Sequence, residues 1–395
     1  MKFDKMTTTL DDAKVELLRQ KIEEKRESLK NPEQLFSAFS VDQEKTEEYN
    51  GRQLLELIQN AVDAGANTVT ICLKTKENLL EISDSGLSFS VEGIRSLMYP
   101  GRSPKRSGSF IGNKGLGFRS LLNWADCITI GTEVGTVEFS SELAKAFFNE
   151  TFKDPLEREA LLTQNGYPKD FIPVPVLGVP EFTPGIVEKT IRIHYREEFE
   201  KDIIAQLKSV DDRTILFLRE LETVWIEIDG DKRTISRHMV VHRTEEWDKG
   251  VSYEEVSIGG KTWYTYSISG ILEPEYCDPK RTGEQSYSVT VALCGDMEEN
   301  RPDGVLYNFF PTLVSVPLPC TIHATVELND SRNHLKPNYP ANEYIISQLL
   351  GLLKLCSEQK VGADINRWLP FRILAPDRFP ENPCLNMNKG LAEAR

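Results

Sequence analysis

The feature that most constrains this sequence is an ordered set of three short polar motifs in its first third. A Glu-x-x-x-Asn-x-x-Asp pattern occupies residues 56–63, Asp84-Ser85-Gly86 follows it, and a Gly-x-x-Gly-x-Gly segment occupies residues 112–117. Amphipathic helices, aspartates at strand ends and glycine loops are each common, so one motif alone predicts little. The order and spacing of the three therefore carry the prediction.

The first motif lies in a segment, residues 51–64, that is predicted to be a helix. Successive helical residues rotate by about 100°, so Glu56, Asn60 and Asp63 share one face. The opposite face is apolar and consists of Leu54, Leu57, Ile58 and Ala61. The ordinary interpretation of such a pattern is a solvated polar face. The other two motifs favour a second interpretation, in which these polar side chains face a ligand.

The second motif follows a predicted strand, residues 79–83. Asp84 is thereby placed at a strand end, beside a glycine whose backbone can approach a ligand closely. An ionised carboxylate only accepts hydrogen bonds, which suits the exocyclic amine of adenine. The alternative is a turn aspartate that accepts from its own backbone.

The third motif, Gly112, Gly115 and Gly117 with Lys114 between them, leads into a helix predicted for residues 115–124. The unpaired N–H groups and positive dipole at such a helix start favour a phosphate. Residues 99–119 contain five cations and no carboxylate: Arg102, Lys105, Arg106, Lys114 and Arg119. Neither a dinucleotide fingerprint nor a P-loop fits, because the short glycine gap comes last and no Ser or Thr follows the lysine.

Taken together, these residues resemble the GHKL ATPase family, which includes gyrase B, MutL, sensor histidine kinases and the ninety-kilodalton heat-shock chaperone. The resemblance covers about residues 50–195. A looser similarity to the chaperone and sacsin-like branch lies in residues 111–120, 310–312 and 329–332. The resemblance implies an α+β chain: a Bergerat-type ATP-binding α/β sandwich, with a mixed sheet and helices on one face, followed by a second α/β domain rich in strands.

The resemblance also implies roles for individual residues. Glu56 would be the general base, Asn60 the ligand of Mg²⁺, and Asp84 the residue that recognises adenine. The implied nucleotide-binding set is Asn60, Asp63, Asp84, Gly86, Lys105, Gly112, Lys114, Gly115, Gly117 and Thr190, with residues 102–109 as a mobile basic lid. Arg332 would supply a catalytic cation from the second domain, and a structural ion-pair role for it stays open.

Two positions depart from the family pattern. Ser88 stands where the strand-end motif usually has its second glycine, and Lys189 stands where a glycine commonly precedes the threonine. Both departures concern the adenine pocket and the lid. Neither changes the proposed base, metal ligand or adenine-recognising residue.

The sequence predicts four segments. These are an N-terminal helical arm (1–50), the ATP-binding domain (51–208), a β-rich middle domain (209–340), and a C-terminal helix with a Pro-rich tail (341–395). Further helices are predicted at residues 10–30, 197–208 and 342–359. Strands are predicted at residues 68–73, 127–131, 136–139, 187–195, 224–228, 262–268, 286–293 and 321–328.

Composition limits the function classes. The net charge of −14 disfavours the broad basic surface of a nucleic-acid binder, so direct nucleic-acid binding is not expected. No apolar run approaches the length of a membrane span, and residues 1–30 lack the apolar core of a secretory signal, so a cytoplasmic protein is expected. The seven cysteines are scattered without zinc-ligand spacing and are expected to be reduced thiols.

Three functional hypotheses follow. The first is a slow Mg²⁺-dependent ATPase that acts as a conformational switch through lid closure and domain or dimer rearrangement, with ATP, a protein partner or client, and a possible ATP-dependent homodimer. Its role would be chaperone-like, or in defence or regulation. The second is a nucleotide-sensing interaction module with vestigial hydrolysis. The third is a DNA-handling ATPase of the MutL type, which the acidic charge disfavours.

A sensor kinase fits least well, because all five histidines follow the nucleotide motifs in the chain. His323 and His334, which lie near Arg332 in sequence, are expected to be structural rather than catalytic.

Overall fold

A computed structural model of the protein describes residues 11–48, 51–99, 117–185, 189–244, 250–279, 281, 283–300, 304–329 and 332–374. The chain divides into two compact units. The first contains the described residues up to 209 together with 224–233, and the second contains 210–223 and the described residues from 234 onward. Each unit contains both helices and a β-sheet, so the predicted α+β class is confirmed.

The helices, in chain order, are α1 Asp12–Leu29, α2 Pro32–Glu48, α3 Gln53–Asp63, α4 Val91–Met98, α5 Ser141–Thr151, α6 Pro155–Gln164, α7 Glu200–Ser209, α8 Asp212–Leu216, α9 Pro340–Glu358 and α10 Leu369–Arg372. The strands of the first unit are β1 Thr68–Lys74, β2 Leu79–Asp84, β3 Ala125–Thr132, β4 Gly135–Ser140, β5 Glu181–Pro184, β6 Thr190–Tyr195 and β7 Thr223–Ile228. The remaining strands are β8 Asp231–Thr244, β9 Ser252–Ile258, β10 Lys261–Ile271, β11 Ser286–Cys294, β12 Gly304–Asn308, β13 Phe310–Val316 and β14 Thr321–Ala324.

The sheet of the first unit has the strand order β7-β1-β2-β6-β3-β4-β5. Its central strands are antiparallel, with Ile71 opposite Ile82 and Ile82 opposite Ile191. Because residues directly opposite each other point to the same face, these isoleucines form one apolar layer. That layer is buried, whereas the alternate residues of the same strands are partly exposed. The face of each side chain in this sheet is thus fixed by register.

Helix α3 covers apolar surface with Leu54, Leu57 and Ile58, all of which are buried. The helix ends where the chain reaches Gly65, whose φ of +80° lies in the left-handed region. Only glycine enters this region at little cost, which explains why the helix stops there.

Three predicted segments differ from the structure. Residues 115–124 were expected to be an α-helix, but the described part, Gly117–Asn123, is a 3-10 helix. Its starting glycine is a poor helix former, and short 3-10 segments are common as connectors. The predicted strand 321–328 ends at Ala324, and the predicted helix 197–208 begins with a 3-10 turn at Glu197–Phe199.

Helices α4, α5, α6, α8 and α10 were not predicted, and α2 was predicted only as part of the helical arm at 1–50. Pro32 is the first residue of α2, where its missing N–H would have no partner anyway. Ser140 and Asp154 cap α5 and α6 by accepting from Leu143 N and Leu156 N. Helices α2, α5 and α6 and neighbouring loops share one apolar core. It contains Leu35, Phe36, Ala144, Phe147, Phe148, Phe152 and Leu162. Their stability therefore comes from packing rather than from a strong periodic pattern.

The sheet of the second unit has the order β13-β12-β14-β11-β10-β9-β8. It is mixed, because β12 and β14 are parallel while the other recorded pairs are antiparallel. Helix α9 packs against β10, β11 and β14 over an apolar core that includes Val289, Val291 and Ile322. Within the described ranges, no helix combines the length and the apolar character needed to cross a membrane.

A buried ion pair joins two elements of the first unit. The guanidinium of Arg119, in the 3-10 segment, contacts the carboxylate of Asp42 on α2, and the side chain of Arg119 is only 1% exposed. Burial lowers the pKa of Arg119 to about 10, so the group stays a cation at neutral pH. Arg119 also donates to the carbonyl oxygen of Leu97 in α4. One side chain therefore connects α2, α4 and the 3-10 segment.

Removing the carboxylate should be costly, because it leaves a buried guanidinium without its counter-charge. We expect Asp42→Ala to lower the free energy of unfolding by about 3–5 kcal/mol. The exposed Arg95–Glu92 pair on α4 provides the control, since Glu92→Ala should cost at most about 1 kcal/mol. Urea denaturation followed by circular dichroism measures both. Equal, small effects for the two variants would show that the buried pair does not stabilise this unit.

Candidate functional site

Helix α3, which carries the first motif, is fixed at its start by side chains from elsewhere in the first unit. Gln206 of α7 accepts from the backbone N–H of Leu54 at 3.2 Å and donates to the side chain of Gln53 at 2.9 Å. This satisfies one of the N–H groups that a helix start leaves unpaired. Gln53 also approaches the carbonyl oxygen of Ser120 at 3.5 Å, in the segment that follows the glycine motif.

The polar face of α3 is not a solvated face. Glu56 is only 3% exposed, and its neighbours Gln53 and Gln59 are buried as well. Asn60 and Asp63, which continue the same face toward the end of the helix, are half-buried. Glutamate is rarely buried to this extent without a specific reason, because removing a carboxylate from water is costly. The interpretation of Glu56 as an ordinary surface residue is therefore wrong.

The end of α3 is hydrogen-bonded to the turn that follows β2. The N–H of Leu87 donates to the carbonyl oxygen of Ala64 at 2.8 Å. A Cβ atom on Gly86 would lie 2.7 Å from the same oxygen, closer than any side chain tolerates. Ser85 fixes the other side of the turn, since its Oγ accepts from the N–H groups of Asn67 and Thr68 at 3.0 and 3.1 Å. The first two motifs are thus parts of one junction.

Asp84 lies at this junction. Its Oδ1 accepts from the N–H of Gly86 at 2.7 Å, which is the local turn contact that the sequence left open as an alternative. No hydrogen bond to Oδ2 is present within the described part of the chain. Burial raises the pKa of Asp84, while the Gly86 N–H and the charge of Lys189 act in the opposite direction. The carboxylate is therefore a partly desolvated acceptor.

The strand next to Asp84 brings Lys189, rather than Thr190, to the same side of the sheet. Thr190 is opposite Ser83, and Asp84 is opposite Val69 on the buried face. Because successive residues point to opposite faces, Thr190 points away from the side that carries Asp84. Lys189 immediately precedes Thr190 and therefore points to the side that carries Asp84. Its Nζ donates to the carbonyl oxygen of Gly86 at 2.7 Å. The structure does not bring Thr190 to this cluster.

The other predicted site residues are distributed as follows. Lys105, Gly112, Lys114 and Gly115, and with them the predicted basic lid at 102–109, lie outside the described residues. Gly117 begins the 3-10 segment. Arg332 belongs to the second unit, where its φ is +56° and its N–H donates to the carbonyl oxygen of Asn329 at 3.0 Å. The grouping in the first unit thus consists of Glu56, Asn60, Asp63, Asp84, Gly86 and Lys189.

This grouping combines a buried carboxylate, an amide and two further acidic side chains along one helix and one turn. Its oxygen atoms can accept hydrogen bonds from the N–H groups of a ligand. The amide oxygen of Asn60 can also coordinate a hard cation. Among the described residues, no cluster of three or more His, Cys, Asp and Glu side chains is placed to hold a metal ion by itself.

From the sequence, Lys189 was named only as a departure from the family pattern and Arg119 only as one of five cations, and Gln206 was not named. Lys189 could have been found, because it lies two residues before Ile191 and four before Ile193. Residues at this spacing share one face of a strand. Gln206 gave no such signal, since it is one polar residue on an amphipathic helix.

Comparison of the chain with protein-family models finds no match, and the comparison with curated proteins finds none either.

The close contact at Gly86 leads to a prediction about the junction. Gly86→Ala should lower the free energy of unfolding by about 1–3 kcal/mol, because the added methyl group meets backbone that cannot rotate away. Gly93→Ala in α4 is the matched control: its nearest neighbour would be 3.4 Å away, and alanine favours the helix. Thermal unfolding of both variants measures the difference. A neutral Gly86→Ala would show that the turn does not depend on the contact with α3.

Proposed function

We propose that the first unit binds ATP with magnesium in a Bergerat-type arrangement, and that the protein is a slow ATPase of the GHKL type. The observation that carries this proposal is the junction between α3 and the turn after β2. A buried Glu56 lies on the helix whose last carbonyl group is bonded to the Asp84–Leu87 turn. The junction supports the proposal because it joins a carboxylate suited to proton transfer with a carboxylate suited to recognising a base.

Asp84 would recognise adenine. One of its oxygens is already engaged by the Gly86 N–H at 2.7 Å, which fixes the orientation of the carboxylate. The other oxygen can then accept from the exocyclic amine of the base without a change of rotamer. Gly86, which has no side chain to collide with the backbone of Ala64, holds this turn against the end of α3.

Asn60 and Glu56 would act at the phosphate end. The Asn60 amide oxygen can complete the coordination of a magnesium ion, which would neutralise phosphate charge when bound. Glu56 lies one helical turn from Asn60 and would orient a water molecule and accept its proton. Asp63 would support the same helix face. The glycine segment, Lys105, Lys114 and Arg332 stay predictions from the sequence for contacts with the triphosphate.

Nucleotide binding would act as a switch that changes domain or dimer contacts and recruits a protein partner or client in the cytoplasm. Lys189 favours a second candidate function, a nucleotide-sensing module with vestigial hydrolysis. Lys189 occupies the strand position beside Asp84, where the family has a small residue. Its ammonium group would therefore alter the base pocket. Binding without turnover by the natural sequence would select this second function.

Asp84→Asn should abolish nucleotide binding without destabilising the protein. Burial raises the pKa of Asp84, so the ionised form is disfavoured in the folded state, and a neutral amide should hold or raise the melting temperature of the nucleotide-free protein. ATP with magnesium at 100 times its dissociation constant should stabilise the natural protein by about 2.7 kcal/mol, and Asp84→Asn should show no such shift.

The control is Glu81→Gln on the same strand. Glu81 accepts from Lys74 at 2.5 Å and from Arg192 at 3.1 Å, and register places it on the other face of the sheet. Its variant should keep the ATP-dependent shift in melting temperature. An unchanged shift in Asp84→Asn would contradict adenine recognition by this carboxylate.

Glu56→Ala and Glu56→Gln should separate binding from hydrolysis. Loss of a general base lowers turnover by about 100-fold or more, whereas the dissociation constant for ATP should change only slightly. Phosphate release and equilibrium binding of a nonhydrolysable analogue measure the two quantities, and Glu92→Gln on α4, an exposed acid paired with Arg95, is the control. Undiminished phosphate release in both Glu56 variants would remove Glu56 as the base.

A further inference from the structure

The second unit contains a cavity on the side of its sheet opposite α9. The cavity has a volume of about 220 Å³. Its floor consists of hydroxyl-bearing side chains of β10 and β11, namely Thr265, Ser267, Ser269, Ser288 and Thr290. Its walls are Leu216, Phe217, Phe309 and His323, with Arg219 and Glu254 at one end. None of these residues belongs to the site proposed in the first unit.

Strand register explains why the floor is polar. Ser267 on β10 is opposite Thr290 on β11, which is opposite His323 on β14, and His323 is next to Tyr307 on β12. One transverse row of polar side chains therefore crosses four strands on the face away from the apolar core. Ser267 and Thr290 share a hydrogen bond at 2.8 Å, and Ser269 donates to Ser288 at 3.0 Å.

His323 is the central polar group of the cavity wall. It is only 4% exposed, and neither ring nitrogen has a hydrogen-bond partner among the described residues. The rings of Phe217 and Phe309 pack around it, with centroid distances of 5.0 and 4.9 Å. Buried polar side chains in folded proteins are nearly always hydrogen-bonded, so an imidazole with two unpartnered nitrogens beside a cavity indicates a missing partner.

The charged side chains that line the cavity are one cation, Arg219, and one anion, Glu254. Arg219 and Glu254 are paired with each other at 3.3 Å, and Arg237 lies 3.7 Å from the same carboxylate. Burial, and secondarily the charge of Arg219, lowers the pKa of His323 to about 3, so its ring is neutral under ordinary conditions. A neutral imidazole has one donor and one acceptor nitrogen, and each hydroxyl can both donate and accept.

Phe309 is held in an unfavourable backbone conformation. Its φ is +60° at the tip of the β12–β13 hairpin, where a bulky side chain rarely adopts the left-handed region. Such conformations are unfavourable and concentrate at ligand sites. Here the strained residue places an aromatic ring against His323 and over the hydroxyl floor.

We propose that this cavity is a binding site for a small, uncharged nitrogen heterocycle with an amide-like or amidine-like edge, of the kind found in nucleobases. The aromatic rings would contact the faces of the heterocycle. His323 and the Ser267–Thr290 pair would exchange hydrogen bonds with its edge, where donors and acceptors alternate. The volume is below the roughly 300 Å³ at which pockets for drug-sized ligands begin, so a single ring system fits and a complete nucleotide does not.

The test is equilibrium binding to the full chain, carried in the Asp84→Asn background so that the site proposed in the first unit cannot contribute. Uracil, hypoxanthine and adenine are the probes, and glucose and inorganic phosphate represent the two other ligand classes. Saturable binding of at least one heterocycle, detected by saturation-transfer NMR and quantified by calorimetry, is expected. Binding of glucose or phosphate alone, or of no probe at millimolar concentration, would overturn the proposal.

Substitutions of the residues that line the cavity test whether the heterocycle binds there. Thr290→Val keeps the shape of the side chain but removes one hydroxyl, and should weaken binding at least about ten-fold. His323→Leu should abolish it. Ser269→Leu, at an exposed position of the cavity floor, should also block binding, and it keeps the test decisive if the His323 variant does not fold. Thr262→Val on β10, the strand of Ser267 and Ser269 but on its opposite face, is the control and should bind normally.

Circular dichroism melting of each variant shows that the fold is retained. Heterocycle binding that is equally strong in Thr290→Val and Ser269→Leu would place the ligand elsewhere and contradict the assignment. Because every measurement is made with Asp84 already replaced, failure of this site and failure of ATP binding in the first unit are separate outcomes.

Discussion

The first unit depends on one backbone contact, the hydrogen bond of 2.8 Å from the N–H of Leu87 to the carbonyl oxygen of Ala64. It joins the end of α3 to the turn after β2 and is possible only because Gly86 has no side chain. With the helix start held by Gln206, α3 is fixed at both ends. A row of polar side chains on a helix held in this way keeps a constant position relative to the carboxylate of Asp84, which is the condition for any precise recognition by the two elements.

Both units bury polar groups that stability alone would not select. In the first unit these are Glu56 and the Arg119–Asp42 pair, and in the second unit His323 and the hydroxyl row. A buried ion pair contributes little net stability compared with apolar residues of the same size, and an unpartnered buried polar group is a cost. Arg119 offsets part of its cost by connecting three elements. The two ring nitrogens of His323 have no hydrogen-bond partner among the described residues, and packing alone does not offset that cost.

The sequence predicted the helices and strands that have strong apolar periodicity, but few of the helices that pack around them. The apolar period of α3 and the alternation of β1 and β2 placed these elements within two residues of their observed ends. The same alternation would have put Lys189 on the face of Ile191 and Ile193, but its position beside Asp84 follows from the register of β6 with β2. The burial of Glu56 could not be predicted, because burial depends on residues distant in the chain. Helices α5 and α6 were missed because their apolar residues pack in a core that also contains residues distant in the chain, such as Leu35 and Val179.

The same limit explains why the cavity of the second unit has no signature in sequence. Alternating Ser and Thr with apolar residues on β10 and β11 is the pattern of a sheet with one wet face. Instead, Thr265, Ser267 and Thr290 are buried, because Phe217 and Phe309 from distant loops lie over them. A sheet covered on both sides gains most from apolar residues on both faces. A hydroxyl floor beneath a strained aromatic residue gives up that gain, and it does so beside a cavity of about 220 Å³.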